Sequence, residues 1–146
     1  LKIYKKNPII YSEEGVFNII GYRLKCQLAE NSKILSFNNS IPEMNHNEIE
    51  AFSNKIKTKN NFIIVWIDDD LCYNRNQRRI SVVSKIIKSK INSHIFLKIN
   101  EKKSKNKILH YLEYINLVDW ISYHCSILNK IDPSEIPNIM KLKKTL

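Results

Sequence analysis

Glycine is scarce, with two residues in 146, and proline nearly so, with four. A chain this poor in both is neither collagen-like nor a Gly/Ser-rich linker. No apolar run approaches the roughly 20 residues that span a bilayer, which excludes a transmembrane segment. Cysteine is low and odd in number: Cys26, Cys72 and Cys125 lie far apart, with no C-x-x-C pair. Neither a zinc cage nor a disulfide framework is suggested, and a reducing cytoplasm is the expected compartment. The four histidines, His46, His94, His110 and His124, show no metal-ligand spacing and are expected to be exposed or satisfied in the core. The chain opens at Leu1 with no methionine and no signal-peptide h-region, so it is expected to be a piece of a longer protein.

Isoleucine, lysine and asparagine fill the space, at 25, 20 and 18 residues. All three have AT-rich codons, so coding composition accounts for part of the net charge of +10. The remainder would favour anionic partners by long-range attraction. A content of 43% hydrophobic and 26% charged residues is ordinary globular material, enough for one domain over residues 1–146.

Hydropathy alternates between two periods along the chain. Asn7 to Tyr11 is a short apolar run closed by Ser12, Glu13 and Glu14, which predicts a buried strand ending in an acidic turn. From Gly15 to Glu30, Val16, Ile20, Leu24 and Leu28 make the stripe of a helix. Lys33 to Phe37 reads as a second strand, Asn38 to Pro42 as loop and Asn47 to Lys57 as helix. Phe62 to Ile67 is unbroken by any polar residue and rich in β-branched side chains, the pattern of a strand buried on both faces. Asp68, Asp69 and Asp70 stop it. A helix follows over Gln77–Ile91, then a strand over Ser93–Ile99, a helix over Ser104–Asn116, a fifth strand over Val118–Tyr123, and a last helix from Glu135 to Lys143 with Ser134 as N-cap. Strand and helix alternate with connections suited to parallel crossovers, so the expected fold is a five-stranded doubly wound α/β sheet of flavodoxin-like order 2-1-3-4-5.

Loops after the carboxyl ends of strands build the functional crevice of such a sheet. Glu13 and Glu14 follow the first strand, Asp68, Asp69 and Asp70 the third, and the order makes those strands neighbours. Converging hard oxygen ligands could bind Mg²⁺, and a carboxylate beside that ion could accept a phosphoryl group; acids that merely solvate turns are the plainer alternative. No cofactor is expected beyond weak Mg²⁺ binding. Trp66 and Trp120 are expected to fill the core. Arg75, Arg78 and Arg79 oppose the dipole at a helix start, so they are either held for a phosphate or a partner's carboxylate, or simply a solvated end.

The run from Pro8 through Tyr11-Ser12-Glu13-Glu14-Gly15 to Leu24, the Ile63-Ile64-Val65-Trp66-Ile67-Asp68 strand end, and the closing Asp119-Trp120-Ile121-Ser122-Tyr123 and Asp132-Pro133-Ser134-Glu135-Ile136 segments resemble response-regulator receiver domains. The likeness is to NarL/LuxR-type regulators, and within them to the degenerate receivers of auxiliary regulators of the RcsA, BglJ and CsgD type. The resemblance implies Asp68 as the phosphoacceptor-like residue, with Glu13, Glu14 and Asp69 in the acidic pocket. It also implies degenerate switch positions: Lys98 stands where the receiver has a Thr or Ser, and Tyr123 (or Ser122) where it has a lysine. A phosphorylated aspartate needs those groups to offset its charge, so a non-enzymatic pseudo-receiver is implied. Such domains pair through their first and last helices, which makes Tyr22, Arg23, Glu135 and Lys141 interface candidates. The implied partner is a response regulator or a second copy, in a cytoplasmic transcription regulator whose DNA-binding helix-turn-helix module lies outside this chain. A basic nucleic-acid-binding domain using Lys85, Lys88, Lys90 and Lys102 to Lys107, and a small inhibitor or immunity-type protein, are the alternatives.

Overall fold

The computed structural model describes residues 2–54, 61–99 and 106–146. Its elements run β1 (Asn7–Glu13), α1 (Val16–Ser32), β2 (Phe37–Ile41), a 3₁₀ turn (Glu43–Asn45), α2 (Glu48–Ala51), β3 (Phe62–Ile67), α3 (Asn74–Lys88), β4 (His94–Leu97), α4 (Lys107–Asn129) and α5 (Pro137–Thr145). The four strands are parallel in the order β2-β1-β3-β4. The doubly wound α/β expectation therefore holds as far as order 2-1-3-4, and the expected fifth strand is helix instead. Val118–Tyr123 lies in the middle of α4, a single helix of 23 residues.

Period-two burial explains how the sheet is sandwiched. On one face Ile10, Val65, Ile67 and Leu97 pack against Phe17, Ile20, Leu24 and Leu28 of α1 and Tyr114, Val118 and Cys125 of α4. On the other, Tyr11, Ile64 and Trp66 pack against Ile80, Val83 and Ile87 of α3, with Met44 and Phe52 completing the cluster. β3 is buried along almost its whole length because it is covered on both sides, as its continuous apolar run requires. Trp66 is fully buried, and its indole N–H donates to His94 Nδ1 at 3.1 Å.

Other boundaries move for local reasons. Lys33 takes a left-handed conformation (φ 57°) and the Ile34 N–H donates back to Leu28 O at 3.0 Å, so residues after Ser32 cap α1 rather than begin a strand. β2 starts at Phe37 and is polar, an edge strand whose Asn38 donates to Asn18 and Asn39 to Glu48. α5 opens at Pro137 in the first turn, while Ser134 donates its N–H and hydroxyl to Asp132 instead of capping a helix. The helix expected over Asn47–Lys57 reaches only from Glu48 to Ala51, and its residues from Lys55 on lie outside the described residues. So does the basic run from Lys102 to Lys105. Among the described residues, no helix is long and apolar enough to cross a membrane.

Candidate functional site

At the carboxyl edge, α1 leaves β1 onto one face and α3 leaves β3 onto the other, which opens a crevice between these neighbouring strands. Register places Ser12 opposite Ile67, so Glu13 and Asp68 emerge side by side. Most of the acids here are already engaged. Glu13 Oε2 accepts the Tyr73 N–H at 2.7 Å and the Asn76 amide at 2.8 Å, which caps α3. Asp69 is fully buried: its Oδ1 accepts the Leu71 N–H at 2.9 Å, and its Oδ2 lies 2.8 Å from the Tyr114 hydroxyl and 3.0 Å from His110 Nε2. Asp70 pairs with Lys98 at 2.6 Å, about half exposed on both sides. Glu14 is exposed and uses its N–H on Ile41 O.

Asp68 is the remainder. Its carboxyl is half-buried and makes no hydrogen bond among the described residues; burial pushes its pKa above the usual carboxylate range, Lys98 pulls it back, and Asp70 and Asp69 push again. Tyr123 stands on the exposed side of α4, away from any strand end, and Ser122 is buried in that helix. Among the described residues, no group of three or more His, Cys, Asp and Glu could hold a metal ion. Of the arginines, Arg79 donates to Asn76, and Arg75 and Arg78 are exposed beside Tyr73 and Asn74. Tyr22 and Arg23 lie on the outer side of α1, where Arg23 forms a two-point pair with Asp119 at 2.8 Å. Glu135 and Lys141 are exposed at the other end of the molecule.

A second concavity lies there, between the C-terminal end of α1 and the start of α5. It encloses about 370 Å³ and is walled by Ala29, Ile34, Leu35, Ile136, Pro137 and Ile139, with Glu30 and Lys33 as its charged groups. Lys33 Nζ donates to Glu30 O at 2.5 Å and Glu135 O at 2.6 Å, which fixes the distance between the two walls. The exposed Glu30 carboxylate has no ion pair or hydrogen bond among the described residues. Because a 17-residue helix is roughly 25 Å long, this cleft and the acidic crevice sit at opposite ends of the sheet.

Sequence reasoning passed over Glu30. Glu30 is an exposed carboxylate in the last turn of α1, where the macrodipole disfavours negative charge.

The whole chain, residues 1–146, matches the family model described as the bacterial phospho-glucose isomerase C-terminal SIS domain. The chain belongs to this family. As a SIS domain it is 30% identical over 139 residues to the bifunctional phosphoglucose/phosphomannose isomerase of Thermoplasma volcanium, covering 95% of the chain and 42% of that protein. The enzyme of the same name from Caldicellulosiruptor bescii is 30% identical over 148 residues, covering all of the chain and 42% of the relative. The SIS domain thus spans less than half the length of these relatives. Crystal structures of a glucose-6-phosphate isomerase like protein from Thermus thermophilus (TM-score 0.65, 14% identity, 99% of this chain and 44% of that one) and of glucosamine-6-phosphate deaminase from Thermotoga maritima (TM-score 0.61, 14% identity, 91% and 39%) share its fold.

These matches overturn the receiver resemblance. What suggested it, acids after apolar strands and an apolar first helix, is common to doubly wound sheets and does not single out one family. With it go the non-enzymatic reading, the transcription-regulator role, the response-regulator and DNA partners, and the nucleic-acid-binding and inhibitor alternatives: the relatives are sugar-phosphate isomerases.

Proposed function

We propose that this SIS domain supplies the acid–base carboxylate, Glu30, for the aldose–ketose isomerisation of a phosphorylated hexose within a longer isomerase. The match of the isomerase family over residues 1–146 supports the isomerase part of this reading, and the activity named for the relatives gives the substrate class. The choice of Glu30 rests on its place in the cleft as a carboxylate unpaired among the described residues. In the reaction a base takes the proton from C2 of the open-chain aldose, the C2–H electron pair becomes the C1=C2 bond, and the C1 carbonyl pair moves onto O1, which takes up a proton from water to give the enediol. The same group then delivers a proton to C1 as the C2 hydroxyl loses its own and becomes the ketone. An open carboxylate against an apolar wall suits both halves of that exchange. The cleft lies within the size range of small-ligand sites.

The test is the full-length Glu30→Gln enzyme, assayed between glucose 6-phosphate and fructose 6-phosphate. Losing a general base is expected to lower kcat by roughly 10²–10⁴ with KM nearly unchanged. Wild-type kcat in that variant would remove Glu30 from the reaction.

A further inference from the structure

α4 is built inside out. The side it turns to its own core carries His110, Tyr114, Val118, Ser122, Cys125 and Ser126, polar or small at most positions. The opposite side carries Leu109, Leu112, Trp120, Tyr123 and Ile127, all between 43% and 52% exposed. Those residues fall three or four apart, with Asn116 in the gap, so they form one stripe along some five turns of helix. α1 packs alongside and continues the surface with exposed Ile19 and Tyr22. A groove of about 380 Å³ runs between the two helices, lined by Gln27, Asn31, Asp119, Trp120 and Tyr123. A helix whose outward stripe is more apolar than its inward one is not built for open solvent, and an apolar patch of this extent on a globular domain marks an interface.

We infer that the outer face of α1 and α4 is the seat of the remaining, preceding half of the isomerase polypeptide, docked within one chain through apolar helices of its own. The occupant follows from length: the family is the C-terminal domain of its proteins, and the relatives carry more than half their residues outside the matched region. A half that shares one chain with this domain meets the face at high effective concentration, whereas a second copy must be recruited from solution. The face is also chemically suited to a covalently linked neighbour. The charged pair on it, Arg23 with Asp119, is neutralised within the domain, so the apolar surface can be covered without burying either charge unpaired. This inference rests on the proposed function only in taking the chain as part of a longer isomerase.

Trp120 reports on the face directly, because Trp66 is fully buried. Acrylamide quenching is measured on the full-length protein and on its Trp120→Phe variant, and the difference gives the Trp120 contribution. It is expected to be severalfold weaker than in the urea-unfolded protein and unchanged on dilution to the monomer. Tyr123→Glu is expected to restore it while the far-UV circular dichroism stays native. In the 146-residue chain alone, Trp120 is expected to quench freely at every concentration. An open Trp120 in the native full-length protein overturns the inference. So does shielding that disappears on dilution, or shielding that grows with concentration in the isolated domain, since either identifies a second copy as the cover. Isomerase activity of the same preparations separates the two claims: an active enzyme with an open Trp120 sinks only the docking, and an active Glu30→Gln enzyme with a shielded Trp120 sinks only the catalytic assignment.

Discussion

Asp69 has no exposed surface, yet its carboxylate is met by the Leu71 N–H, the Tyr114 hydroxyl and His110 Nε2. A charge taken out of water persists only with partners of this kind, and these partners join the end of β3 to α4. Tyr114→Phe removes one donor while keeping the ring, and is expected to cost about 1.5–3 kcal/mol, the range for hydrogen bonds to charged groups, measured by urea unfolding. The cysteines divide by burial. Burial pushes the Cys72 thiol from 9.0 up to about 12 and Cys125 from 9.0 up to about 11, whereas Cys26 is exposed. Folding therefore holds those two protons more tightly than the unfolded chain does. That share of stability is complete below about pH 9 and is lost as pH rises through 11 to 12. The 146-residue chain is expected to show rapid thiol-reagent uptake at Cys26 only when native and at all three cysteines in denaturant, with a melting temperature that falls above about pH 9. At this scale the sequence disclosed which acids meet at the carboxyl edge, because strand ends and neighbouring strands suffice for that. It could not disclose that Glu13 and Asp69 are occupied, since their partners Asn76, His110 and Tyr114 stand on helices dozens of residues away.

The packing of α1 on the sheet depends on one missing side chain. A Cβ at Gly21 would stand 2.5 Å from Asn38 Oδ1 and 3.2 Å from both Ile10 Cγ2 and Ser12 Oγ. Gly21→Ala is expected to push α1 off β1 and β2 and to destabilise by about 1–3 kcal/mol, as overpacking does, read from the denaturant midpoint. Gly15 differs, with open space around it but φ at 100°, where a side chain is strained. How legible an element was tracks how its buried face is composed. β3 was read to the residue because Phe62–Ile67 is apolar throughout and flanked by polar residues. α1 was read nearly as well because Ile20, Leu24 and Leu28 face inward and are buried. α4 was cut in two because its inward stripe runs through His110, Ser122 and Ser126, so a search for apolar periodicity follows the outward stripe and takes Val118–Tyr123 for a strand. Trp120, expected in the core on that basis, is 52% exposed.

For the molecule as a whole, two layers of helix cover a four-stranded sheet, and the two helical layers end differently. α3 leaves a mainly polar and basic side to solvent, interrupted by Val82 and Ile86, while α4 leaves an apolar stripe that Ile19 and Tyr22 of α1 continue. The whole-protein view was the least legible, because a doubly wound sheet serves many families and the deciding information lies in sequence likeness over the full domain rather than in any short motif. The cleft that carries Glu30 has one further property. α5 buries none of its residues, and the Lys33 ammonium reaches across to the Glu135 carbonyl just before it. One jaw of the cleft is thus tied at its root by a single ammonium and stands free of the core along the rest of its length.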